Sequence, residues 1–444
     1  MAKMSNIMLA LGVAMSAMAG GASQELPFRP GERVALFGDS ITHIGNYIQY
    51  LQLWENLRHP GSGVRFMNCG IAGDTAKKGL ERLDVDLLPM KPDRAFVMFG
   101  MNDVGREDYA TASPTDAQKA ARAKSLEAYA ADMEAVVDRL AASGIETVLM
   151  TPTPYDQYTK ANGENLVECN EPGLAACAEI VRGIAAKRGV GIVELHKPMT
   201  EMFKEHLDFR FCADRVHPGP EGHLVMAARM LKALGASPLV SRVVVDAKGA
   251  ADGFSFTYAP CSLPFPALHE YRTVEERGFF RLSEELNREE IVVAGLVDGN
   301  YALLFDGKDV GHFTAGELAR GVNVATLDTE NQRRAQVAAK PLRELLEKES
   351  LLRDYALLVN MARKAGVSES DHVRMDAYLD KWLADTKSSR YHSTFKMWVV
   401  NYRTVRENKK GIEERMEMLR EAMASQRPAS AYVEIRRVNN KASE

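Results

Sequence analysis

The segment Asp214-Arg215-Val216-His217 places a carboxylate three positions before an imidazole. One turn of chain then lets the carboxylate accept from one ring nitrogen while the other serves as a base. Such a base needs a nucleophile. Gly38-Asp39-Ser40 offers a serine hydroxyl just after the apolar run Arg33–Phe37. Thr42 stands where the second glycine of a G-x-S-x-G elbow would be, so the cluster is not an α/β-hydrolase elbow. Two further clusters supply donors. Gly73 is a glycine whose backbone N–H can approach a substrate closely, and Asn102 offers a side-chain amide. Nucleophile, base with orienting acid, backbone donor and amide donor form the set that acyl transfer requires. Each cluster alone has a plainer reading: Ser40 as a helix cap, Asp214 and Arg215 as a surface ion link, Gly73 and Asn102 as turn residues. His223 is a competing base, but it falls within an expected helix and lacks an aspartate three residues before it.

These clusters need a frame that gathers them. Five short apolar runs, Arg33–Phe37, Val64–Asn68, Arg94–Phe99, Thr147–Thr151 and Gly191–Leu195, show little alternation. Strands buried on both faces of a parallel sheet read this way. Helical stretches lie between them, at Ile44–Leu57, Ala76–Leu88, Thr115–Ala142, Gly173–Arg188 and Gly219–Leu234. The alternation predicts a three-layer α/β/α domain around a flavodoxin-like parallel sheet over 30–237. Each polar cluster follows an expected strand or precedes an expected helix, on one side of that sheet. Asp39, and Tyr155 and Asp156 after the fourth strand, are candidate substrate contacts on the same side.

In this order the four blocks resemble those of the SGNH hydrolase superfamily, the GDSL-type esterases, over about residues 30–235. Gly38-Asp39-Ser40 resembles its first block, Gly73-Asp74-Thr75 its second, Gly100-Met101-Asn102-Asp103 its third and Asp214-Arg215-Val216-His217 its last. The first block departs slightly, with Ile41 where leucine is usual. The resemblance implies a serine esterase working through an acyl-enzyme. Ser40 would be the nucleophile, His217 the base and Asp214 its orienter, with Ser40, Gly73 and Asn102 forming the oxyanion hole. Such chemistry calls for no metal or organic cofactor.

The blocks are not interrupted by a long apolar lid, and short acyl groups such as O-acetyl on a small-molecule or carbohydrate ester are the expected substrate. A lipolytic or aryl-ester acylhydrolase is the alternative. Two readings of other classes stand beside these. One is a non-catalytic carbohydrate-binding or structural protein with a hydrolase-like fold. The other is a metal-dependent phosphoesterase using Asp39, Asp103, Asp214 and His217.

Composition is that of an ordinary globular protein. Hydrophobic residues make up 46% and charged residues 26% of 444. A net charge of −4 gives no electrostatic reason to expect nucleic acid. Lys3, the apolar stretch Ile7–Ala19 and the small-x-small triplet Ala17-Met18-Ala19 read as a signal peptide over 1–23. That predicts a secreted or periplasmic protein with no membrane span. Five cysteines read as buried thiols, with one candidate bridge from Cys169 to Cys177. Beyond Pro238 the pattern changes. Asp298-Gly299 and Asp306-Gly307 mark turns in a small antiparallel β unit over 240–328. A helical region over 329–427 and a tail over 428–444 follow. All four blocks precede residue 237, so a chain ending there is expected to keep its activity.

Overall fold

The structure, a computed structural model, describes residues 26–160, 165–248, 250 and 253–438. The expected leader, 1–23, lies outside the described residues.

Five strands pair in parallel: β1 (Arg33–Gly38), β2 (Arg65–Gly70), β3 (Arg94–Met98), β4 (Glu146–Met150) and β5 (Gly191–Val193). Their order is β2-β1-β3-β4-β5. All of β3 and all but the first residue of β1 are buried, which accounts for their unbroken apolar character. Seven helices accompany the sheet: α1 (Ser40–Ile44), α2 (Asn46–Arg58), α3 (Ala76–Arg82), α4 (Asp116–Ala142), α5 (Ala175–Arg188), α6 (His196–Glu205) and α7 (Pro220–Ala233). Helix α2 packs on α7, and α4 packs on α3 and α5. From β1 the chain crosses to β2 on one side, and from β3 to β4 on the other. The strand order therefore reverses between β1 and β3, and a crevice opens at their carboxyl ends.

Three local differences from the predicted elements have physical causes. The helix expected over Ile44–Leu57 is α2, and the short α1, not anticipated, precedes it and is set off at Gly45 with φ 75. A Cβ there would also come within 2.6 Å of Asn68 Nδ2, so only glycine fits. Helix α3 stops at Arg82 and continues as a π turn and a 3₁₀ turn, where Pro89 ends the helical hydrogen bonding. The fifth strand ends at Val193, and α6, not anticipated, starts at His196 and buries Met199, Met202 and Phe203.

The second half opens with β6 (Leu239–Asp246), β7 (Gly253–Tyr258), α8 (His269–Glu276), α9 (Leu282–Glu285) and β8 (Arg288–Ala294). Next come β9 (Asn300–Phe305), β10 (Lys308–Thr314), α10 (Ala315–Arg320) and β11 (Val322–Asn323). It ends with α11 (Glu330–Ala339), α12 (Leu342–Lys364), α13 (His372–Asp385), α14 (His392–Ala424) and β12 (Ala431–Val438). Two sheets form, β10-β9-β12-β7 and β11-β8-β6. Their pairings are antiparallel except that β6 and β8 run parallel. Asp306 and Gly307, at φ 50 and 80, make the hairpin turn between β9 and β10. Asp298-Gly299 instead links strands of different sheets. The tail expected from 428 is corrected by β12, which lies between β9 and β7. Ala431, Val433 and Ile435 alternate inward while Tyr432 and Arg436 stay exposed, a short period-two pattern next to a long helix.

The helical region shares one hydrophobic core with the α/β domain: Leu345, Tyr355, Leu358 and Tyr402 join Ile48, Leu51 and Trp54. Helix α12 contacts β2, the outermost strand, and covers that edge of the sheet. The β strands keep a separate core around Ile291, Leu303 and Val433. The Arg58 guanidinium, buried at the junction, donates to the carbonyls of Ser237 (3.2 Å), Leu239 and Leu286 (2.5 Å). All five cysteines are free; Cys169 and Cys177 are unbridged and buried, and Cys261 is exposed. Among the described residues no helix is long and apolar enough to cross a membrane.

Candidate active site

Ser40 is the first residue of α1, immediately beyond β1. Asp214 and His217 come from a turn just before α7. In that turn Arg215 adopts φ 69, a left-handed conformation that a non-glycine residue holds only when its surroundings enforce it. Its enforcement is visible: Arg215 is buried, and its Nη1 donates to the carbonyls of Asp156 (2.8 Å) and Thr159 (3.1 Å). The surface ion link between Asp214 and Arg215 is thus replaced by an inward anchor. The N–H groups of Val216 and His217 both donate to Asp214 Oδ1, at 3.1 and 2.9 Å.

The side chains then fall into series. Asp214 Oδ2 lies 2.6 Å from His217 Nδ1, and His217 Nε2 lies 2.7 Å from Ser40 Oγ. With Nδ1–H donating to the carboxylate, Nε2 is left as the acceptor for the serine hydroxyl. Partial burial works to raise the Asp214 carboxyl. The His217 hydrogen bond, its charge and the two backbone N–H groups outweigh that and hold the carboxyl well below the usual range. An imidazole oriented in this way can take the serine proton and activate the hydroxyl for attack. His217 and Asp214 remain 32% and 55% exposed, so the series opens to solvent.

The donor clusters meet at the same crevice. The loop after β2 carries Gly73 at φ 76, whose N–H has no acceptor among the described residues. The Asn102 amide, in the loop after β3, donates to Asp74 O at 2.8 Å. The two loops are joined by Asp103. Its Oδ1 accepts from Ala76 N at 2.7 Å and its Oδ2 from Gly100 N at 2.9 Å. Burial pushes the Asp103 carboxyl up to about 7 despite these donors. Ile71 N donates to Gly38 O at 3.1 Å, which ties the second loop to the first.

Three candidate substrate contacts are buried, each with at least one polar atom bound inside the protein. Asp39 is 1% exposed and caps α1, accepting from Ile41 N at 3.0 Å; burial pushes it up to about 6. Asp156 is fully buried and holds the N–H groups of Tyr158 and Thr159 and the Thr159 hydroxyl. Tyr155 is 3% exposed, and its hydroxyl accepts from Leu166 N. His223 is also buried, stacked on Tyr47 with ring centroids 5.7 Å apart, and burial pushes it down to about 3. It is not placed to serve as the base. Asp39 and Asp103, which the phosphoesterase reading needs as metal ligands, bind backbone N–H groups instead. Among the described residues no group of three His, Cys, Asp or Glu side chains is arranged to hold a metal ion.

The sequence reading missed Arg82. Its Nε donates to Asp74 Oδ2 at 2.6 Å and its Nη2 to the carbonyls of Gly38 (3.1 Å) and Cys69 (2.9 Å). Its signal was faint: an arginine two turns after the second block, within a stretch that also carries Lys77, Lys78 and Glu81.

The chain is similar to known proteins over its first half and, in one solved structure, over nearly its whole length. Residues 36–225 match the model of the GDSL-like lipase/acylhydrolase family. An acetylxylan esterase of Geobacillus stearothermophilus is 26% identical over 220 residues, covering 46% of this chain and 94% of that protein. An uncharacterized lipoprotein of Bacillus subtilis (strain 168) is 37% identical over 78 residues, covering 16% of this chain and 32% of that protein. Among solved structures, a gut microbial diltiazem-metabolizing enzyme is 24% identical with a TM-score of 0.83. It covers 94% of this chain and 100% of its own, so the architecture with its second half recurs there. Over residues 36–225 the chain is thus similar to the GDSL-like lipase/acylhydrolase family, and this match with the esterase relative supports an ester-bond hydrolase.

Proposed function

We propose that the chain removes short acyl groups, O-acetyl on carbohydrate foremost, through an acyl-enzyme on Ser40. The observation that carries the mechanism is the unbroken series Asp214–His217–Ser40 at the sheet's switch point. His217 Nε2 takes the Ser40 proton as Oγ attacks the ester carbonyl. Asp214 holds the tautomer and stabilises the imidazolium. The N–H groups of Ser40 and Gly73 and the second N–H of the Asn102 amide receive the oxyanion. His217 returns the proton to the departing alcohol, then activates the water that releases the acid. The exposure of Asp214 and His217 among the described residues supports a small acyl group. The acetylxylan esterase relative supports acetyl and carbohydrate. The leader read at 1–23 and the lipoprotein relative support export from the cytoplasm.

The substrate is tested with aryl esters of increasing acyl length and with acetylated xylo-oligosaccharides. The highest kcat/KM is expected on acetyl, with the oligosaccharide at least equal to the aryl ester. A maximum at octanoyl or longer would replace this reading by the lipolytic one. Asn102→Ala is expected to lower kcat by about 10²–10³ with little change in KM, as loss of one oxyanion donor does. A change confined to KM would move Asn102 from transition-state stabilisation to ground-state binding.

A further inference from the structure

The second half of the chain reaches the site from behind. Helix α12 presents Glu349, Arg353 and Asp354, spaced one turn plus one residue, and all three are buried. Arg353 and Asp354 address Gly70 and α1 directly, whereas Glu349 binds Gln49 of α2 and reaches Gly70 only through Asn68. Arg353 Nε donates to Gly70 O at 2.9 Å. Asp354 Oδ1 lies 3.2 Å from His43 Nε2, an ion-pair distance without hydrogen-bond alignment. His43 sits on α1, three residues after Ser40, and its Nδ1 accepts from Ala72 N at 3.3 Å. Glu349 Oε2 accepts from Asn68 Nδ2 at 3.4 Å, and Asn68 Oδ1 in turn accepts from Gly70 N at 2.9 Å. Because Nδ1 of His43 accepts, Nε2 carries the ring proton, on the side of the ring nearer Asp354.

We propose that Arg353 and Asp354 are positioning residues: with His43 as the relay, they fix the Gly70–Gly73 loop against the Ser40 helix. The proposal rests on the reading of Gly73 as an oxyanion donor. The loop has little room to adjust by itself. A Cβ on Gly70 would lie 2.1 Å from His43 N, so loop and helix are pressed together there. Arg353 is held in turn by Asp86, at 3.1 and 2.6 Å, and Asp354 Oδ2 by Asn401 Nδ2 of α14 at 2.6 Å. Buried charged pairs of this kind cost desolvation, and apolar replacements of equal volume often stabilise as well. What apolar residues would not provide is a directed contact to one carbonyl and one N–H of a loop. An oxyanion donor must sit within a few tenths of an ångström of its place, and a misplacement of about 1 Å can cost 10²-fold in rate.

The test uses the full chain and an aryl acetate. His43→Phe keeps the ring and removes both nitrogens. His43→Asn keeps an acceptor where Nδ1 stood and loses the link to Asp354. Asp354→Asn removes the charge alone. His43→Phe and Asp354→Asn are expected to lower kcat by about 10-fold or more, with KM within about twofold. His43→Asn, which keeps the acceptor for Ala72 N but loses Asp354, should recover part of the loss seen in His43→Phe and fall to about the level of Asp354→Asn. The double variant His43→Phe/Asp354→Asn should be no slower than the worse single one, because the two act through one chain of contacts. Should Asp354→Asn fail to fold, the comparison of His43→Asn with His43→Phe decides alone. Cooperatively folded variants with kcat near that of the parent, or a loss seen only in Tm, would overturn the proposal. Ser40→Ala and Asn102→Ala run alongside separate the two levels. If they lose kcat while the His43 and Asp354 variants do not, positioning fails and the acyl-enzyme reading stands. If Ser40→Ala itself keeps activity, the acyl-enzyme reading fails first.

Discussion

Ser40→Ala is expected to lower kcat by roughly 10⁴-fold or more while the protein folds as before. Ser40 is half-buried, and its hydroxyl makes one side-chain hydrogen bond, to His217 Nε2. Alanine leaves no cavity and favours the helix it would begin, so Tm should hold within a few degrees. The effect on rate is large because His217 and Asp214 work only through that oxygen. What survives is the contribution of the oxyanion donors and of binding, which act as a unit separate from the nucleophile. An organophosphonate should label Ser40 of the parent stoichiometrically, as read by mass spectrometry, and leave Ser40→Ala unlabelled. EDTA should change neither the labelling nor the turnover. Near-parental turnover in Ser40→Ala, or activity abolished by EDTA with Ser40 unlabelled, would hand the site to the phosphoesterase reading.

A chain ending at Ser237 is expected not to fold, in contrast to the expectation from the blocks alone. Helix α2 shows why. Eleven of its residues, from Tyr47 to Arg58, are buried, which is more than one face of a helix. Helix α7 covers one side, and α11, α12 and α14 cover another. Tyr50 and Trp54 look toward Phe265, Tyr271, Leu282 and Leu286 across a small apolar cavity. Each large apolar side chain returned to water loses roughly 1.5–3 kcal/mol. A domain's net stability is only about 5–15 kcal/mol, so a handful of such losses exhausts it. Truncation also strips Arg58 of the Leu239 and Leu286 carbonyls and leaves Asp86 without Arg353. The fragment should aggregate or lack a cooperative thermal transition and near-ultraviolet circular dichroism. A soluble monomer with a sharp melt and parental kcat would show that the shared core is dispensable.

The catalytic half was legible because its signals are local. Apolar runs without alternation marked the five strands, and Gly, Asp and Asn at their ends marked the crevice. The residues misread were polar groups at those same ends. Asp39 and Asp156 look like ligand contacts in a list of letters, yet a buried strand end has N–H groups to satisfy, and these carboxylates satisfy them. Arg353 and Asp354 were illegible for the opposite reason. They lie in an ordinary charged helix, and their partners Gly70 and His43 are separated from them by most of the chain. No spacing rule links such positions. The break at Gly45 was invisible as well, since one glycine within an apolar periodic stretch does not say whether a helix tolerates it or ends there.

Strand β12 sits between β9 and β7, although the four helices α11 to α14 separate it from β9 in the chain. During synthesis, then, β7 and β9 leave the ribosome with no neighbour between them. Each presents an open edge until the whole helical region has followed. At about 5–20 residues per second that wait lasts several seconds or more. The nascent β unit is thus the stretch most in need of a chaperone's cover, and its last strand is the latch that closes the molecule.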